Sequence, residues 1–374
     1  MKIKYLFLTL RVFSATGGIE KVCRVAGKAL YELGLQFGGQ VKIYSMHGPR
    51  GKSDGNKYFP QLIFTGFGRK RIRFVLKSVN SGRKSRVVIL SHINLLPVGW
   101  MIKKFKPSVK LVLLAHGIEI WDPLSRIRRK MLHACDLILP VSRFTKDRIK
   151  ELHGIPENRL VVINNCLDPF MERSLFPGRN EDLLKLYGLN KNSRILLTVS
   201  RMADTERYKG YDKVLLALPA LTRRYPELHY LLAGSYDAGE KARIDELIIR
   251  LNLQEKVSFT GFVPDEELAA HFLLADIFVM PSEKEGFGIV FIEAMYYGVP
   301  VIAGNKDGSA DALLNGEMGT LVDPGNVSEL TEAIGSILDN PNAFLPDQDK
   351  LIEHFGYMGY KERFGDVFGE LMKN

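Results

Sequence analysis

Ala275-Asp276-Ile277-Phe278-Val279-Met280-Pro281-Ser282-Glu283-Lys284-Glu285-Gly286-Phe287-Gly288-Ile289-Val290-Phe291-Ile292-Glu293-Ala294 runs from an apolar segment through a glycine-punctuated turn into a second apolar segment. Residues 275–280 have strand length, and Pro281 closes them because proline has no N–H to give to a ladder. Downstream, Ile289, Ile292, Ala294, Met295 and Tyr296 suit a buried helix that Gly298-Val299-Pro300 stops. The helix is expected to begin close to Phe287 or Gly288, with its first free N–H groups at the mouth of a sheet. Such N–H groups and the helix dipole attract an anion, and Gly286 and Gly288 carry no side chain to keep it away. Glu285 falls at the rim of that site. Glu293 lies about two turns further on, roughly 12 Å along the axis if the whole segment is helical. The plainer alternative gives Glu285 to the helix dipole and Glu293 to solvent.

The same strand-then-helix rhythm extends in both directions. In the N-terminal half, strands are expected at 5–10, 41–45, 87–90, 110–115, 137–141 and 160–163, with a helix over 19–33. From Asp168-Pro169 to Lys191 the pattern loosens into Pro, Gly, Arg, Asn and Asp. A second series follows at 194–200, 230–234, 257–259, 276–280 and 299–303. The fold class is therefore α/β: two doubly wound, Rossmann-like domains facing each other across a cleft. Their expected extents are 1–170 and 192–356, joined by a linker over 171–191.

At 374 residues the chain suits two domains of ordinary size. Cys23, Cys135 and Cys166 are far apart and form no CxxC pattern, which points to a reducing compartment and away from a zinc site. The apolar N-terminus is interrupted by Lys2 and Lys4 and followed by Arg11, so it reads as a first strand rather than a signal peptide. No run approaches the about eighteen apolar residues of a membrane span. The net charge of +10 is unevenly distributed: residues 1–190 carry 34 Lys and Arg against 13 Asp and Glu, whereas residues 191–374 carry 18 against 29. Basic residues cluster at Arg69, Lys70, Arg71, Arg73 and Lys77, at Arg83, Lys84 and Arg86, and at Lys103, Lys104 and Lys106. Phe74, Val75, Leu76, Trp100 and Phe105 are interleaved with them. A solvated face and a nucleic-acid track are both compatible with charge alone, but the interleaved apolar residues favour docking on an anionic membrane surface.

Several polar residues fall where strands end. Gly17-Gly18, within Thr16-Gly17-Gly18-Ile19-Glu20-Lys21, opens the first helix; the alternative is a tight turn. His116 follows the strand 110–115 directly, at the edge where such sheets bind ligands, although a structural histidine fits there too. Ser200-Arg201 ends the first strand of the second series and Lys209-Gly210 begins the next helix, an arrangement of cations that suits a diphosphate clamp as well as a pair of exposed charges. Gly234-Ser235 ends another strand on that edge, and Gly261-Phe262-Val263-Pro264 is able to offer backbone groups to a base.

The ordered set Gly17-Gly18-Ile19-Glu20, His116-Gly117, Asn164-Asn165-Cys166-Leu167-Asp168, Ser200-Arg201, Lys209-Gly210, Gly261-Phe262-Val263 and Glu285-Gly286-Phe287-Gly288 to Glu293 resembles glycosyltransferase family four, the retaining family of GT-B architecture. The resemblance covers nearly the whole chain and implies that residues 357–374 form a final helix returning to the first domain. It implies a metal-independent hexosyltransferase with no cofactor beyond its nucleotide-sugar co-substrate, UDP-sugar favoured, acting on a glycan or lipid-linked acceptor in envelope polysaccharide, lipopolysaccharide or glycolipid synthesis. By the same resemblance Arg201 and Lys209 hold the donor diphosphate, Glu293 the ribose and Glu285 the transferred sugar. Phe287, Gly288 and Ile289 supply backbone amides, Phe262 and Val263 read the base, and Gly234 lies in the donor pocket. His116 lies at the reacting centre, and Gly17 and Gly18 close on the phosphates. The expected location is cytoplasmic, peripheral on the inner face of the membrane, with no nucleic-acid partner. A GT-B nucleotide-sugar epimerase is the alternative activity, and a basic nucleic-acid-binding protein a more distant one.

The sequence also departs from the family pattern. Residues 203–208 make a longer loop between arginine and lysine, Ser235 and Tyr236 follow Gly234 where a second glycine is common, and Asp307-Gly308-Ser309-Ala310-Asp311 has Asp where Glu is usual. A metal-dependent transferase needs an Asp-x-Asp pair at a strand end; Asp347-Gln348-Asp349 is the one such pair, and it reads as a solvated polar loop.

Overall fold

A computed structural model of the chain describes residues 5–14, 17–36, 38–48, 56–172 and 178–373. Its contacts separate into two units, Met1–Pro169 with Gly356–Asn374, and Phe170–Phe355. In the first, β1 (Tyr5–Thr9), β2 (Val41–Ser45), β3 (Phe64–Gly66), β4 (Val87–Leu90), β5 (Lys110–Ala115) and β6 (Leu137–Pro140) form a parallel sheet in the order β3-β2-β1-β4-β5-β6. In the second, β7 (Arg194–Val199), β8 (Leu228–Ala233), β9 (Val257–Gly261), β10 (Ile277–Met280), β11 (Val301–Gly304) and β12 (Thr320–Val322) repeat that winding in the order β12-β11-β10-β7-β8-β9. Each sheet thus reverses its strand order once, between β1 and β4 and between β7 and β10. Outside the carboxyl ends of those paired strands is where doubly wound sheets take their ligands.

Central strands buried on both faces explain the unbroken apolar runs: every residue of β1, β4, β8 and β10 is buried. Leu6, Leu8, Val88, Leu90, Leu111 and Leu113 meet Phe74 in one core; Leu196, Tyr230, Leu232, Val279 and Ile302 meet Tyr211 and Ile334 in the other. The helix Tyr357–Lys373 belongs to the first unit, where Lys361 and Tyr357 reach Glu32 of the helix Gly18–Gln36 at 3.1 and 3.0 Å. Phe364 and Phe368 of that helix are buried, and Phe368 packs edge-on against Tyr5.

Some expectations fail for local reasons. Residues 160–163 form no strand; Leu160 makes a single bridge to Ile138. β3 and β12 were not foreseen, because three residues at a sheet edge are too few to show a period. The expected linker carries the helix Glu181–Leu186, capped by Asn180, and Arg179 binds Asp276 at 2.5 Å, so residues 179–186 are fastened to the second unit. Residues 173–177 of that linker, and Thr16 of the first glycine turn, lie outside the described residues. Asp347 and Asp349 are exposed as expected, but the segment opens a helix rather than lying in a loop: Asp347 caps the helix Gln348–Phe355 by accepting from the N–H groups of Asp349 and Lys350.

The basic clusters also need correction. In the helix Arg71–Gly82, Phe74 is wholly buried, while Ile72 and Leu76 are 78% and 67% exposed. The apolar residues among these cations at the surface are therefore Ile72 and Leu76, not Phe74. Lys103 is engaged within its own domain by Asp136 at 2.6 Å and the Val109 carbonyl at 2.7 Å, and Lys106 donates to the Ser85 carbonyl at 2.6 Å. Neither is a free surface cation. Lys104 lies over the Trp100 ring, and Arg83 over Phe105, whose side chain is exposed.

Candidate functional site

The loops that leave β7 and β10 meet at the carboxyl edge of the second sheet, backbone on backbone: a Cβ at Gly210 would fall 2.3 Å from the Pro281 carbonyl oxygen, and the Glu283 N–H donates to the Tyr208 carbonyl at 2.9 Å. Gly234, which follows β8, has φ 136°, and a Cβ there would fall 2.0 Å from the Ser200 carbonyl oxygen. Its identity is thus fixed by the close approach of two strand ends. On the far side, a Cβ at Gly308 would fall 2.1 Å from the Gly286 carbonyl oxygen, and the Gly308 N–H donates to the Glu285 carbonyl at 2.8 Å.

These contacts bring together much of the expected site. Arg201 leaves β7 with its side chain 58% exposed and is held by Glu206, whose Oε1 accepts from Nε at 3.0 Å and also from Nη2. Lys209 and Glu285 form an ion pair, with side chains 16% and 17% exposed. Burial pushes the Lys209 pKa down, but the Glu285 carboxylate, with Tyr208 and Glu206, more than offsets it and leaves the pKa raised. The helix Ile289–Tyr296 begins one residue later than expected, after Gly288 at φ 80°. Glu285 therefore stands in the turn, outside the helix. Glu293 is buried, which excludes its reading as a solvated helix residue. Phe287 is also buried and packs edge-on against Phe355, so its side chain serves the core and only its backbone faces the turn. Along the same edge, Phe262 is 57% exposed and Val263 buried, and Tyr236 and Lys241 flank Phe259.

Asp307 was noticed in the sequence only as a departure from a pattern, yet it organises the Glu285 turn. Its buried carboxylate accepts from Ser282 Oγ at 2.8 Å, the Glu285 N–H at 2.6 Å and the Ser309 N–H at 2.9 Å. Burial raises its pKa to about 6, against the opposing effect of those hydrogen bonds. Because the folded pKa lies above the ordinary value, this group's contribution to stability is full below about pH 4 and is lost as pH rises through 6. Protonation nevertheless turns one oxygen of a carboxylate that three donors share into a hydroxyl. We expect kcat/KM to fall roughly tenfold per pH unit below about pH 6 while the fold stays intact. A pH–rate profile in which Asp307→Asn keeps the wild-type limb would assign that limb elsewhere.

In the first unit, His116 follows β5, donates from Nε2 to the Ser91 carbonyl at 2.7 Å, and gives its backbone N–H to Glu119 at 2.6 Å. Its Nδ1 is enclosed and has no hydrogen-bond partner. The pKa of His92, beside it at the end of β4, is lowered by burial, partly offset by Glu119 and reinforced by His116 and Arg128. A Cβ at Gly18 would meet no atom within 4 Å, and one at Gly17 only the flexible Glu20 carboxylate at 2.8 Å, so packing explains neither glycine. Among the described residues no group of three or more His, Cys, Asp or Glu side chains is placed to hold a metal ion, and no helix is long and apolar enough to cross a membrane.

Residues 16–169 match the model of Glycosyltransferase Family 4, and residues 180–361 that of Glycosyl transferases group 1. The chain is 32% identical over 246 residues to a GDP-mannose-dependent alpha-(1-6)-phosphatidylinositol monomannoside mannosyltransferase of Mycolicibacterium smegmatis, covering 62% of each protein. It is 31% identical over 232 residues to O-antigen chain mannosyltransferase B of Escherichia coli, covering 59% of this chain and 58% of that one. The chain thus spans less than two thirds of the length of these curated relatives. Among solved structures, the Anabaena protein HepE in complex with UDP superposes with a TM-score of 0.75 at 20% identity, over 98% of this chain and 100% of that one. A glycosyltransferase from Rickettsia africae gives 0.77 at 21% identity, over 100% and 99%. The shared fold is GT-B, two Rossmann-like domains in one chain. With one half matching each model, the chain belongs to the glycosyltransferases of family four, group 1.

Proposed function

We propose that the protein is a retaining, metal-independent hexosyltransferase that moves a hexose from a nucleotide diphosphate sugar to a glycan or lipid-linked acceptor. The observation that carries this reading is the meeting of Arg201, Lys209 and the start of the helix Ile289–Tyr296 at the carboxyl edge of β7 and β10. When the bond between the anomeric carbon and the diphosphate breaks, its electron pair stays on the diphosphate, and these groups stabilise the charge that develops there. The acceptor oxygen bonds to the anomeric carbon on the same face and its proton passes to the departing diphosphate, so no protein nucleophile is required. Glu285 binds hydroxyls of the transferred sugar and Glu293 those of the ribose. His116 serves turnover rather than nucleotide binding. Incubation with chelator is expected to leave turnover unchanged and the product anomer retained; loss of turnover on chelation, or an inverted product, overturns the reading. Product analysis with donor alone excludes the epimerase if the nucleotide sugar comes back unaltered.

For the donor base, UDP is the expectation from sequence, and GDP is the second reading because the mycobacterial relative is named for GDP-mannose. A thermal-shift panel with UDP-glucose and GDP-mannose decides between them, since a ligand at a hundred times its Kd adds about 2.7 kcal/mol of stability.

We also propose that the enzyme works at the inner face of the membrane, docked through Arg69, Lys70, Arg71 and Arg73 with the exposed Ile72 and Leu76 of the helix Arg71–Gly82. Residues 55–118 contain no Asp or Glu, so no acid close in sequence competes with anionic lipid for these cations. Binding to phosphatidylcholine vesicles containing phosphatidylglycerol is expected to exceed binding to phosphatidylcholine alone, and to fall at least tenfold in Ile72→Asp/Leu76→Asp. Equal sedimentation of both proteins with both vesicles would remove this surface from consideration.

A further inference from the structure

Arg201 is paired with a carboxylate that the proposed reaction does not use. Glu285, the partner of Lys209, has a task on the sugar; Glu206 has none. Glu206 lies in the longer loop between arginine and lysine that departs from the family pattern, inside the turn Asp204–Lys209 and at the residue that interrupts its helical geometry.

The backbone around this turn is fixed from several sides. Arg207 donates to the fully buried Glu240 carboxylate at 3.0 Å and binds Asp204 at 2.7 Å. The Tyr208 carbonyl accepts from the Glu283 N–H at 2.9 Å, the Arg207 carbonyl from the Gly210 N–H at 3.1 Å, and the Ser235 carbonyl from the Met202 N–H at 2.9 Å. With the loop held this way, the Glu206 carboxylate stays within reach of the anion site even when its side chain releases the guanidinium. Arg201, in contrast, is more than half exposed and free to change partner.

We propose that Glu206 is a resident counter-ion of Arg201, displaced by the diphosphate of an incoming donor and returning to the guanidinium as the diphosphate product leaves. This rests on the reading of Arg201 as a diphosphate ligand. Glu206 then lowers affinity for both donor and product through like-charge repulsion and competition for one fork of donors, and so favours release of the product.

The test is calorimetric titration of UDP and GDP into wild type, Glu206→Gln, Glu206→Ala, Arg201→Ala and the double variant Arg201→Ala/Glu206→Gln. Both Glu206 variants are expected to bind the preferred diphosphate about tenfold more tightly, with correspondingly stronger product inhibition in turnover. The gain is expected to vanish in the double variant, because the competition is for Arg201. Unchanged or weaker binding in both Glu206 variants, with Arg201→Ala weakened, overturns the counter-ion role and leaves the clamp standing. Wild-type affinity in Arg201→Ala overturns the clamp and the counter-ion with it.

Discussion

Replacing Lys209 with alanine is expected to lower turnover of the nucleotide sugar by about a hundredfold to a thousandfold, the usual cost of losing one preorganised donor to a leaving group's developing charge. Lys209 is suited to this because its charge is held where water is scarce. Its side chain is 16% exposed and paired with Glu285, and its pKa is raised despite burial, so it remains an ammonium across the working pH range. Truncation has two consequences of the same sign: the cation is lost, and the Glu285 carboxylate faces the diphosphate uncompensated. The affinity for nucleotide diphosphate should therefore fall as well, but by less than turnover, because the extra charge on the diphosphate exists only once the bond to the sugar is breaking. Lys209→Ala/Glu285→Ala should bind nucleotide better than Lys209→Ala alone, since that variant no longer carries the unpaired acid. Steady-state rates and calorimetric affinities on wild type, Lys209→Ala and the double variant check both statements. Turnover of Lys209→Ala within about threefold of wild type would place the leaving diphosphate elsewhere.

What was legible beforehand depends on distance along the chain. Strand ends and the loops following them are local features, so Arg201, Lys209, Gly234 and Glu285 were found at the correct sheet edge from their neighbours alone. Partnerships across the chain were not. Lys209 pairs with Glu285 across 76 positions, Asp307 accepts from the Glu285 N–H across 22, and Arg207 reaches Glu240 across 33. No spacing rule connects such residues; they meet because β7, β8, β10 and β11 bring their loops to one edge. Phe74 is a different kind of error. The cluster around it was read as composition, although Phe74, Ser78 and Ser81 already follow a helical period, and that stripe is what the helix Arg71–Gly82 buries. Taken as a helix, the same letters place Ile72 and Leu76 outward among the cations, as the structure has them.

Glu240→Ala is expected to destabilise the second domain by about 1–3 kcal/mol, the scale for leaving a buried donor without its acceptor. The carboxylate accepts from Tyr211 Oη at 2.7 Å, from Arg243 at 2.6 and 3.1 Å and from Arg207 at 3.0 Å, with its own side chain fully buried. Burial alone would raise its pKa; the hydrogen bonds from Arg243, Tyr211 and Arg207 overcome that and hold it at about 2. A folded pKa below the ordinary carboxylate value means that this group's stabilisation is complete above about pH 4.5 and is lost as pH falls toward 2. In Glu240→Ala the buried Tyr211 hydroxyl loses its acceptor while Arg243 keeps Asp212 at 2.7 Å, so the loss exceeds that of an exposed ion pair mainly through Tyr211. For a unit of this size the melting temperature should drop on the order of 5 °C at pH 7. The gap should narrow as pH is lowered below 4, since the wild type loses there what the variant never had. A drop below about 2 °C at pH 7, or a gap that does not change with acid, would show that Glu240 is not the anchor of this network. Because Arg207 connects that anchor to the turn carrying Glu206 and Lys209, nucleotide diphosphate affinity should also fall at temperatures where the variant is fully folded. A buried carboxylate here thus fastens the turn that carries Glu206 and Lys209 to the core of its own domain.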